Sequence, residues 1–232
     1  AWDALSLENL DAYTLDPERA EALLTSDGWT INADGLREKQ VNGETVVLDL
    51  TMVYPEGNRI ASLLEEYLVP NLREAGIALT MKPVSMTELS DIAYGGGQRE
   101  ADLFFQASNF DLVYDPAVYF LVEEGQAGEW SFTRQTDTEL YRRALAMRET
   151  EPSEVLEYMQ KWILFQERFN EQLPMIPIYS NVYFDFYTSL LQDYSIGESS
   201  TWSEAVMGSV KAEIPETEEE FRTYIEDRKS VV

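Results

Sequence analysis

Alternation of apolar and polar residues predicts three β-strands in the first half of the chain. Across residues 46–53 every second side chain is apolar, which is the period of a strand with one buried face. A second strand is predicted at 77–81. A third is predicted at 102–107, where Leu103, Phe104 and Phe105 follow one another without alternation. Such a run is typical of a strand that is buried on both faces of a parallel sheet.

Helical spacing of apolar residues fills the intervals between these strands. One helix is predicted from about 58 to 75, with a kink at Pro70. Another begins at Ser85, which has capping-box spacing to Glu88, and ends near 94. The order strand, helix, strand, helix, strand predicts an α/β fold in which a central mixed sheet is flanked by helices.

Local signals place further elements on either side of this core. Asp16 followed by Pro17 predicts a capped helix start, and Asn42-Gly43 predicts a hairpin turn. After Pro116 we predict a short helix at 118–124 and a helix capped by Thr136 that ends near 149. A longer helix with an aromatic stripe is predicted from 151 to 172.

The polar and aromatic residues after the third predicted strand are the leading candidates for a binding site. They are Asn109, Phe110, Asp111 and Tyr114, with Trp130 farther along the chain. In open α/β sheets, ligands lie outside the carboxyl ends of the strands. The alternative is that these residues form an ordinary Asn/Asp turn closed by Asp115-Pro116 and that the aromatic residues pack in the core.

Composition narrows the classes of function. The chain has 43 acidic and 17 basic residues, a net charge of −26, which argues against binding nucleic acid or an anionic membrane. With 44% hydrophobic residues the chain is globular, and no apolar run reaches the ~20 residues that span a bilayer. The absence of Cys and His excludes disulfides, Ser-His-Asp catalysis and the usual zinc ligands.

We expect no metal site and no cofactor. The turn Asn32-Ala33-Asp34-Gly35 is similar to a calcium loop, but the first and twelfth loop positions would be Thr30 and Val41 instead of carboxylates. The triple glycine at 95–97 is not a phosphate-binding loop, because no Gly-Lys-Ser/Thr follows it.

Several motifs, taken together and in order, resemble the carboxyl-terminal part of the extracellular solute-binding proteins of oligopeptide, dipeptide and nickel ABC importers. The resemblance covers roughly residues 13–208. Its motifs are LDPERAEALL at 15–24, DGW at 27–29, DGLREK at 34–39, LREAGI at 72–77, YDP at 114–116 followed by Phe120-Leu121, and LPMIPIY at 173–179.

This resemblance implies a ligand-binding lobe without catalysis. Family members have two lobes that close on a ligand, are extracellular or periplasmic, often as lipoproteins, and deliver peptides or related small solutes to a membrane permease. They are about twice as long, so residues 1–208 would form the carboxyl-terminal lobe, without the amino-terminal lobe that completes the site. Residues 209–232 would be an acidic tail with a short helix.

One departure from the family pattern concerns the ligand. Peptide-binding members carry an Asp four residues before the Pro, and it holds the amino group of the ligand. Here that position is Leu112, and the nearest carboxylate is Asp111. A one-residue shift in the turn would bring Asp111 into this role; without it, a sugar or another small solute becomes the more plausible ligand.

Two other classes of function remain open at this point. One is a carboxylate-dependent hydrolase such as a glycosidase, with Asp111 and Asp115 as the nearest pair of acids. The other is a sensory solute-binding domain that signals without transport.

We expect added salt to stabilise this chain. At a net charge of −26, repulsion among carboxylates destabilises the compact state, and salt screens it over about 10 Å at 0.1 M ionic strength. The melting temperature should therefore rise from low to moderate NaCl concentration. A melting temperature that stays constant or falls would contradict this expectation.

Overall fold

The computed structural model describes residues 5–95, 99–107, 115–128, 131–180, 186–188, 191–197, 202–211 and 219, without the side chains of 210 and 211. The chain forms two compact units. The first comprises Ala1–Asn109 and Asp115–Ile176, and the second comprises Phe110–Tyr114 and Pro177–Val232. None of the helices in the described part is long and apolar enough to cross a membrane.

The first unit begins with helix α1 (Pro17–Ser26) and a small antiparallel sheet. The Asp16 carboxylate caps α1 by accepting from the Arg19 amide, as predicted. The sheet has the order β1-β2-β3, with β1 (Thr30–Ile31), β2 (Arg37–Val41) and β3 (Glu44–Val47). Asn42 and Gly43 both have positive φ angles, which confirms the predicted hairpin turn between β2 and β3.

A three-stranded parallel sheet follows and confirms the predicted neighbours. Its order is β5-β4-β6, with β4 (Asp49–Pro55) between β5 (Ala78–Val84) and β6 (Leu103–Phe104). Of the strand predicted at 102–107, only Leu103 and Phe104 pair with β4 as a strand. Both residues are half-buried, not fully buried as predicted. Backbone hydrogen bonds from Asp102 to Thr51 and from Phe105 to Val53 nevertheless extend its pairing with β4 on both sides.

The single strand predicted at 46–53 is wrong, because the chain changes sheets at Leu48. The Leu48 amide donates to the Arg37 carbonyl of the antiparallel sheet, whereas the Leu48 carbonyl accepts from Ala78 beside the parallel sheet. Residues on either side of Leu48 are extended, so the alternation of side chains continues across the change of partner. The fold is thus α/β, with parallel and antiparallel strands joined at one residue.

Helices connect the parallel strands. Between β4 and β5 the chain forms α2 (Arg59–Leu63), a π-helical segment (Leu64–Leu68) and α3 (Val69–Glu74). The predicted disruption at Pro70 corresponds to this widened segment, because proline has no amide hydrogen and its ring crowds the preceding turn. Between β5 and β6 lies α4 (Met86–Tyr94), which is capped by Ser85 as predicted.

The rest of the first unit is mainly helical. It contains α5 (Pro116–Tyr119), a hairpin of β7 (Val122–Glu123) and β8 (Gln126–Ala127), α6 (Thr138–Arg148) and α7 (Val155–Gln172). The helix predicted at 118–124 is therefore wrong beyond Tyr119. Glu124 and Gly125 have positive φ angles and form a hairpin turn, which ends the helical geometry.

Two hydrophobic clusters stabilise the first unit. One joins the parallel sheet to α4 through Val53, Val84, Leu89 and Ala101. The other joins α5, α6 and α7, and its members are Ala117, Phe120, Leu140, Ala144, Met147 and Phe165. The aromatic stripe predicted for α7 is thus part of a core: the Phe120 ring lies 5.9 Å from Phe165 and 6.0 Å from Phe169.

The second unit is small in its described part. It contains β9 (Leu191–Gln192), α8 (Trp202–Gly208) and β10 (Val210–Lys211), and β9 pairs with β10 in antiparallel orientation. Ala205 of α8 is buried, and the Tyr187 and Tyr194 rings lie 4.4 Å apart. Most of the predicted acidic tail at 209–232 lies outside the described residues, so the tail stays a prediction.

A buried arginine joins the start of the chain to the sheets. Arg37 is only 4% exposed, and its guanidinium donates to the Ala75 carbonyl, the Thr25 hydroxyl and the Trp29 carbonyl. The Gly76 carbonyl accepts from the Arg37 amide at 2.7 Å. Because these partners belong to α1, to the loop after it and to the end of α3, Arg37 fixes three segments at once.

An ion pair connects α6 to α7. The Asp137 carboxylate, which is the N-cap of α6 in place of the predicted Thr136, accepts from the Leu140 amide and from Arg168 of α7. Hydrogen bonds from Arg168 hold the pKa of Asp137 below its ordinary value, although burial acts in the opposite direction. Glu139, bonded to Arg142 and Arg143, has its pKa lowered to about 2.

Replacing Gly76 by Ala should destabilise the first unit. Gly76 has a φ of +82°, and an added Cβ would lie 2.8 Å from Cγ of the Arg37 side chain. Gly57→Ala is the matched control, because Gly57 has a φ of +75° and no atom within 4 Å of such a Cβ. Both variants carry the backbone strain of about 1 kcal/mol, but only Gly76→Ala adds about 1–3 kcal/mol from crowding. Urea unfolding measures the difference, and equal losses would contradict the crowding.

Acid should weaken the contact between α6 and α7. A carboxylate with a lowered pKa stabilises the folded state above its unfolded pKa of about 4, and this contribution is lost as the pH falls through the folded value. Asp137→Asn should therefore lose about 1–3 kcal/mol of unfolding free energy at pH 7 and show a shallower decline below about pH 4.

Asp27→Asn is the control for this prediction. Asp27 pairs with Lys39, but its side chain is 67% exposed, so solvent screens the pair and a smaller loss of unfolding free energy than for Asp137→Asn is expected. Urea unfolding at several pH values gives both quantities. An acid dependence of Asp137→Asn as steep as that of the wild type would assign the acid sensitivity to other carboxylates.

Candidate functional site

The carboxyl ends of the three parallel strands meet at one edge of the sheet. Pro55 at the end of β4 is paired with Val84 at the end of β5, and Val53 is paired with Phe104 of β6. The Glu56 amide donates to the Val84 carbonyl at 2.9 Å, so the segments after β4 and β5 remain close together. This edge is where ligands bind in open α/β sheets.

The five residues predicted to contact a ligand lie outside the described part of the chain. They are Asn109, Phe110, Asp111, Tyr114 and Trp130. The described residues Ala107 and Asp115 flank the first four, and Gly128 and Ser131 flank Trp130. Their role in binding therefore stays a prediction.

Asp115 has the structural role that the turn interpretation assigns to it. One carboxylate oxygen accepts from the Ala117 amide at 3.0 Å and caps α5, and the other accepts from Arg148 Nε at 2.7 Å. Both oxygens of Asp115 are thus engaged in fixing the start of α5 to the end of α6. This arrangement favours a capping role over an acid or base role for Asp115, one of the two carboxylates considered in the sequence.

An aromatic cluster lies beside β6. The Phe132 ring makes edge contacts with Tyr94 at 5.9 Å, Phe104 at 6.2 Å and Tyr119 at 6.2 Å. We call these four residues the Phe132 cluster. It brings together the end of α4, the end of β6, α5 and the loop before α6, so Phe132 fixes this loop to three other elements.

Arg99 lies against this cluster and was not predicted as a site residue. Its Nη2 atom donates to the Ala93 carbonyl at 2.6 Å and also to the Phe132 carbonyl. Its guanidinium carbon lies 5.2 Å from the centre of the Phe104 ring. The pKa of Arg99 is lowered by burial and by the neighbouring charge of Arg134. In the sequence it is an isolated arginine before a strand, and no local signal marks these distant partners.

Two buried polar atoms near this loop have no hydrogen-bond partner in the described part of the chain. They are Arg99 Nε and the hydroxyl oxygen of Ser131, a residue that is 3% exposed. The described residues also contain no cluster of three or more acidic side chains that could hold a metal ion.

Comparisons with known proteins identify the fold. No protein-family model and no curated protein matches the chain. Among solved structures, the chain is similar to the oligopeptide-binding protein from Thermus thermophilus complexed with a pentapeptide. The TM-score is 0.59 at 22% identity, over 72% of this chain and 30% of that chain. Most of this chain has the fold of one part of a solute-binding protein.

Two further solute-binding proteins show the same likeness. NikZ from Campylobacter jejuni, in complex with Ni(L-His), has a TM-score of 0.54 and 23% identity over 72% of this chain and 32% of that one. The mannohexaose-bound periplasmic oligopeptide-binding protein from Thermotoga maritima has a TM-score of 0.55 and 22% identity, over 77% of this chain and 33% of that chain.

The likeness confirms, for the fold, the resemblance inferred from the motifs. It covers most of this chain but only about a third of each solute-binding protein, between 30% and 33% for these three.

Proposed function

We propose that this chain is the ligand-binding part of an extracellular solute-binding protein of an ABC importer, in the oligopeptide, dipeptide and nickel family. The observation that carries the proposal is the shared fold with three such proteins over 72–77% of the chain. The ordered motifs from Leu15 to Tyr179 support the same family. The partners would be a small solute, the permease subunits in the membrane and the amino-terminal lobe of the same protein.

The proposed ligand contacts are Asn109, Phe110, Asp111, Tyr114 and Trp130. Four of them follow β6, whose carboxyl end is at the edge where the parallel strands terminate. The Asp111 carboxylate would hold an amino group through charge-assisted hydrogen bonds, and the aromatic rings would contact the apolar parts of the ligand. Asn109 would supply an amide that can both donate and accept hydrogen bonds.

A peptide is the ligand that we favour, and a sugar is the second candidate. The protein from Thermus thermophilus holds a pentapeptide, whereas the protein from Thermotoga maritima holds mannohexaose on the same fold. Asp111 favours a cationic ligand such as a peptide amino group. Leu112, which occupies the position where peptide-binding members have their Asp, favours a neutral solute.

The protein would bind its solute and not transform it. Asp115, the described acid that directly follows Tyr114 in the sequence, accepts hydrogen bonds from the Ala117 amide and from Arg148. We also propose that the full protein is extracellular or periplasmic and anchored as a lipoprotein. Within this chain, residues 1–208 would form the carboxyl-terminal lobe and 209–232 an acidic tail.

Titration calorimetry with a pentapeptide, mannohexaose and Ni(L-His) tests this function. In the full-length protein, Asp111→Asn should weaken pentapeptide binding by at least about tenfold, which corresponds to ~1.4 kcal/mol. Asp115→Asn is the matched control and should leave the affinity within about twofold while lowering the melting temperature, because Asp115 caps α5. The present chain alone should bind the pentapeptide only at about millimolar concentration, since one lobe offers part of the contacts.

Each alternative gives a distinct result. Equal pentapeptide affinity of the wild type and Asp111→Asn would remove Asp111 from the site and, with it, the main argument for peptides. Binding of mannohexaose without the pentapeptide would assign a sugar as the ligand. Failure of the full-length protein to bind any of the three probes would contradict the proposed function.

A further inference from the structure

Arg99 has different partners from the other arginines whose side chains are mostly buried. Arg37 faces Glu21, Arg143 faces Glu139, and Arg168 faces Asp137. Within the described residues, Arg99 faces no carboxylate, and both of its hydrogen bonds go to backbone carbonyls. In a chain with a net charge of −26, a guanidinium used in this way fixes backbone instead of balancing charge.

The carbonyls in question lie at the carboxyl end of α4, where backbone acceptors have no partner within the helix. Arg99 Nη2 donates to Ala93 in the last turn of α4, and Arg134 Nη2 donates to the C-cap residue Gly95, each at 2.6 Å. Two cations from other segments therefore bind the carbonyls at this end of α4. Positive charge is favourable at the carboxyl end of a helix.

The same Arg99 atom that binds α4 also binds the loop before α6. Nη2 donates to the Phe132 carbonyl, and the Phe132 side chain is the centre of the aromatic cluster. Arg134, two residues later, returns to α4 through Gly95. The loop is therefore connected to α4 at both Phe132 and Arg134.

We propose that Arg99 and Arg134 are positioning residues, which fix the loop Ser131–Arg134, and through it the adjacent Trp130, to the end of α4. One part of the inference rests on the proposed function, namely that Trp130 is a ligand contact. The attachment of the loop rests on the described residues alone. A loop held in place before the ligand arrives loses less conformational freedom on binding.

The other end of this loop is fixed as well. The Gly128 amide donates to the Leu121 carbonyl at 2.8 Å, and the Ser131 amide donates to the Gly128 carbonyl at 3.0 Å. A Cβ at Gly128 would lie 2.9 Å from a methyl carbon of Leu121, so the Gly128 backbone lies directly against the Leu121 side chain. Only Glu129 and Trp130 separate the two fixed points.

The two guanidiniums are held near each other in spite of their like charge. Partial burial lowers the pKa of Arg99, and the neighbouring positive charge of Arg134 lowers it further. The carbonyl acceptors and the face of the Phe104 ring offset this repulsion. The arrangement therefore needs the α4 carbonyls, the loop and β6 to be assembled together.

Trp130 fluorescence in the ligand-free chain tests the inference. The signal of Trp130 is obtained as the difference between each protein and its Trp130→Phe derivative, and its access to solvent is measured by acrylamide quenching. Arg99→Gln should raise the quenching constant of this signal by about twofold or more, because the loop opens locally. Arg99→Lys should restore most of the protection, since one nitrogen, Nη2, makes both hydrogen bonds and an ammonium group can replace it.

Arg73→Gln is the matched control, because Arg73 also donates to a backbone carbonyl, that of Asp34 at 2.9 Å, but joins α3 to the turn between β1 and β2. It should leave the Trp130 signal unchanged. Arg134→Gln should act in the same direction as Arg99→Gln. Far-UV circular dichroism identifies the variants that remain folded.

Two results would overturn the inference. One is an unchanged quenching constant in folded Arg99→Gln with a lower melting temperature, which would make Arg99 a contributor to stability only. The other is an Arg99→Gln chain that does not fold at all, together with a folded Arg134→Gln chain whose Trp130 quenching constant equals that of the wild type. Because no ligand is used, failure of these measurements is distinct from failure of the proposed function.

Discussion

The parallel pairing of β4 with strands on both sides is the constraint on which the first unit depends. β4 is in register with β5 along its whole length, from Asp49 opposite Ala78 to Pro55 opposite Val84, and it pairs with β6 through Met52 and Val53. Three chain segments consequently leave the sheet at one edge. The Val53 side chain is buried together with Val84 and Leu89, so the same strand provides both the hydrogen-bonding frame and the core beneath α4.

A second set of contacts fixes the start of β4 and joins the antiparallel sheet to the parallel sheet. The backbone of Leu48 donates to one sheet and accepts from the other within a single residue. Arg37 lies next to this point and spreads its donors over α1, the loop after it and the end of α3. Burying a guanidinium is unfavourable unless its donors are satisfied, so these partners stabilise one another.

Cations have two kinds of partner in the first unit. Most described cations pair with carboxylates, as in Arg168 with Asp137 and Arg148 with Asp115, and the excess of acid is left to solvent. Arg99 and Arg134 also donate to backbone carbonyls beside the Phe132 cluster. The described cations of this acidic chain therefore work chiefly as structural connectors, and Trp130, one of the proposed ligand contacts, lies four residues before Arg134 in the sequence.

The sequence by itself determined the features that depend on near neighbours. Asp16 and Ser85 cap helices as predicted, Asn42-Gly43 turns a hairpin, and the three strands occur in the predicted order. Capping, turn geometry and side-chain periodicity act over a few residues, so their signals are present in the local sequence. The ordered motifs also indicated the fold that the solved structures confirm.

Only the tertiary structure decided the features that depend on distant partners. Leu48 changes sheets within one uninterrupted alternation, because both sheets require the same extended backbone. The hairpin after Tyr119 replaces a predicted helix, since Glu124 and Gly125 adopt positive φ angles in a paired turn. Arg99 was missed because its acceptor at Phe132 lies 33 residues away. Periodicity records the conformation of a segment, whereas the identity of its partner is set only when the folded chain brings the two together.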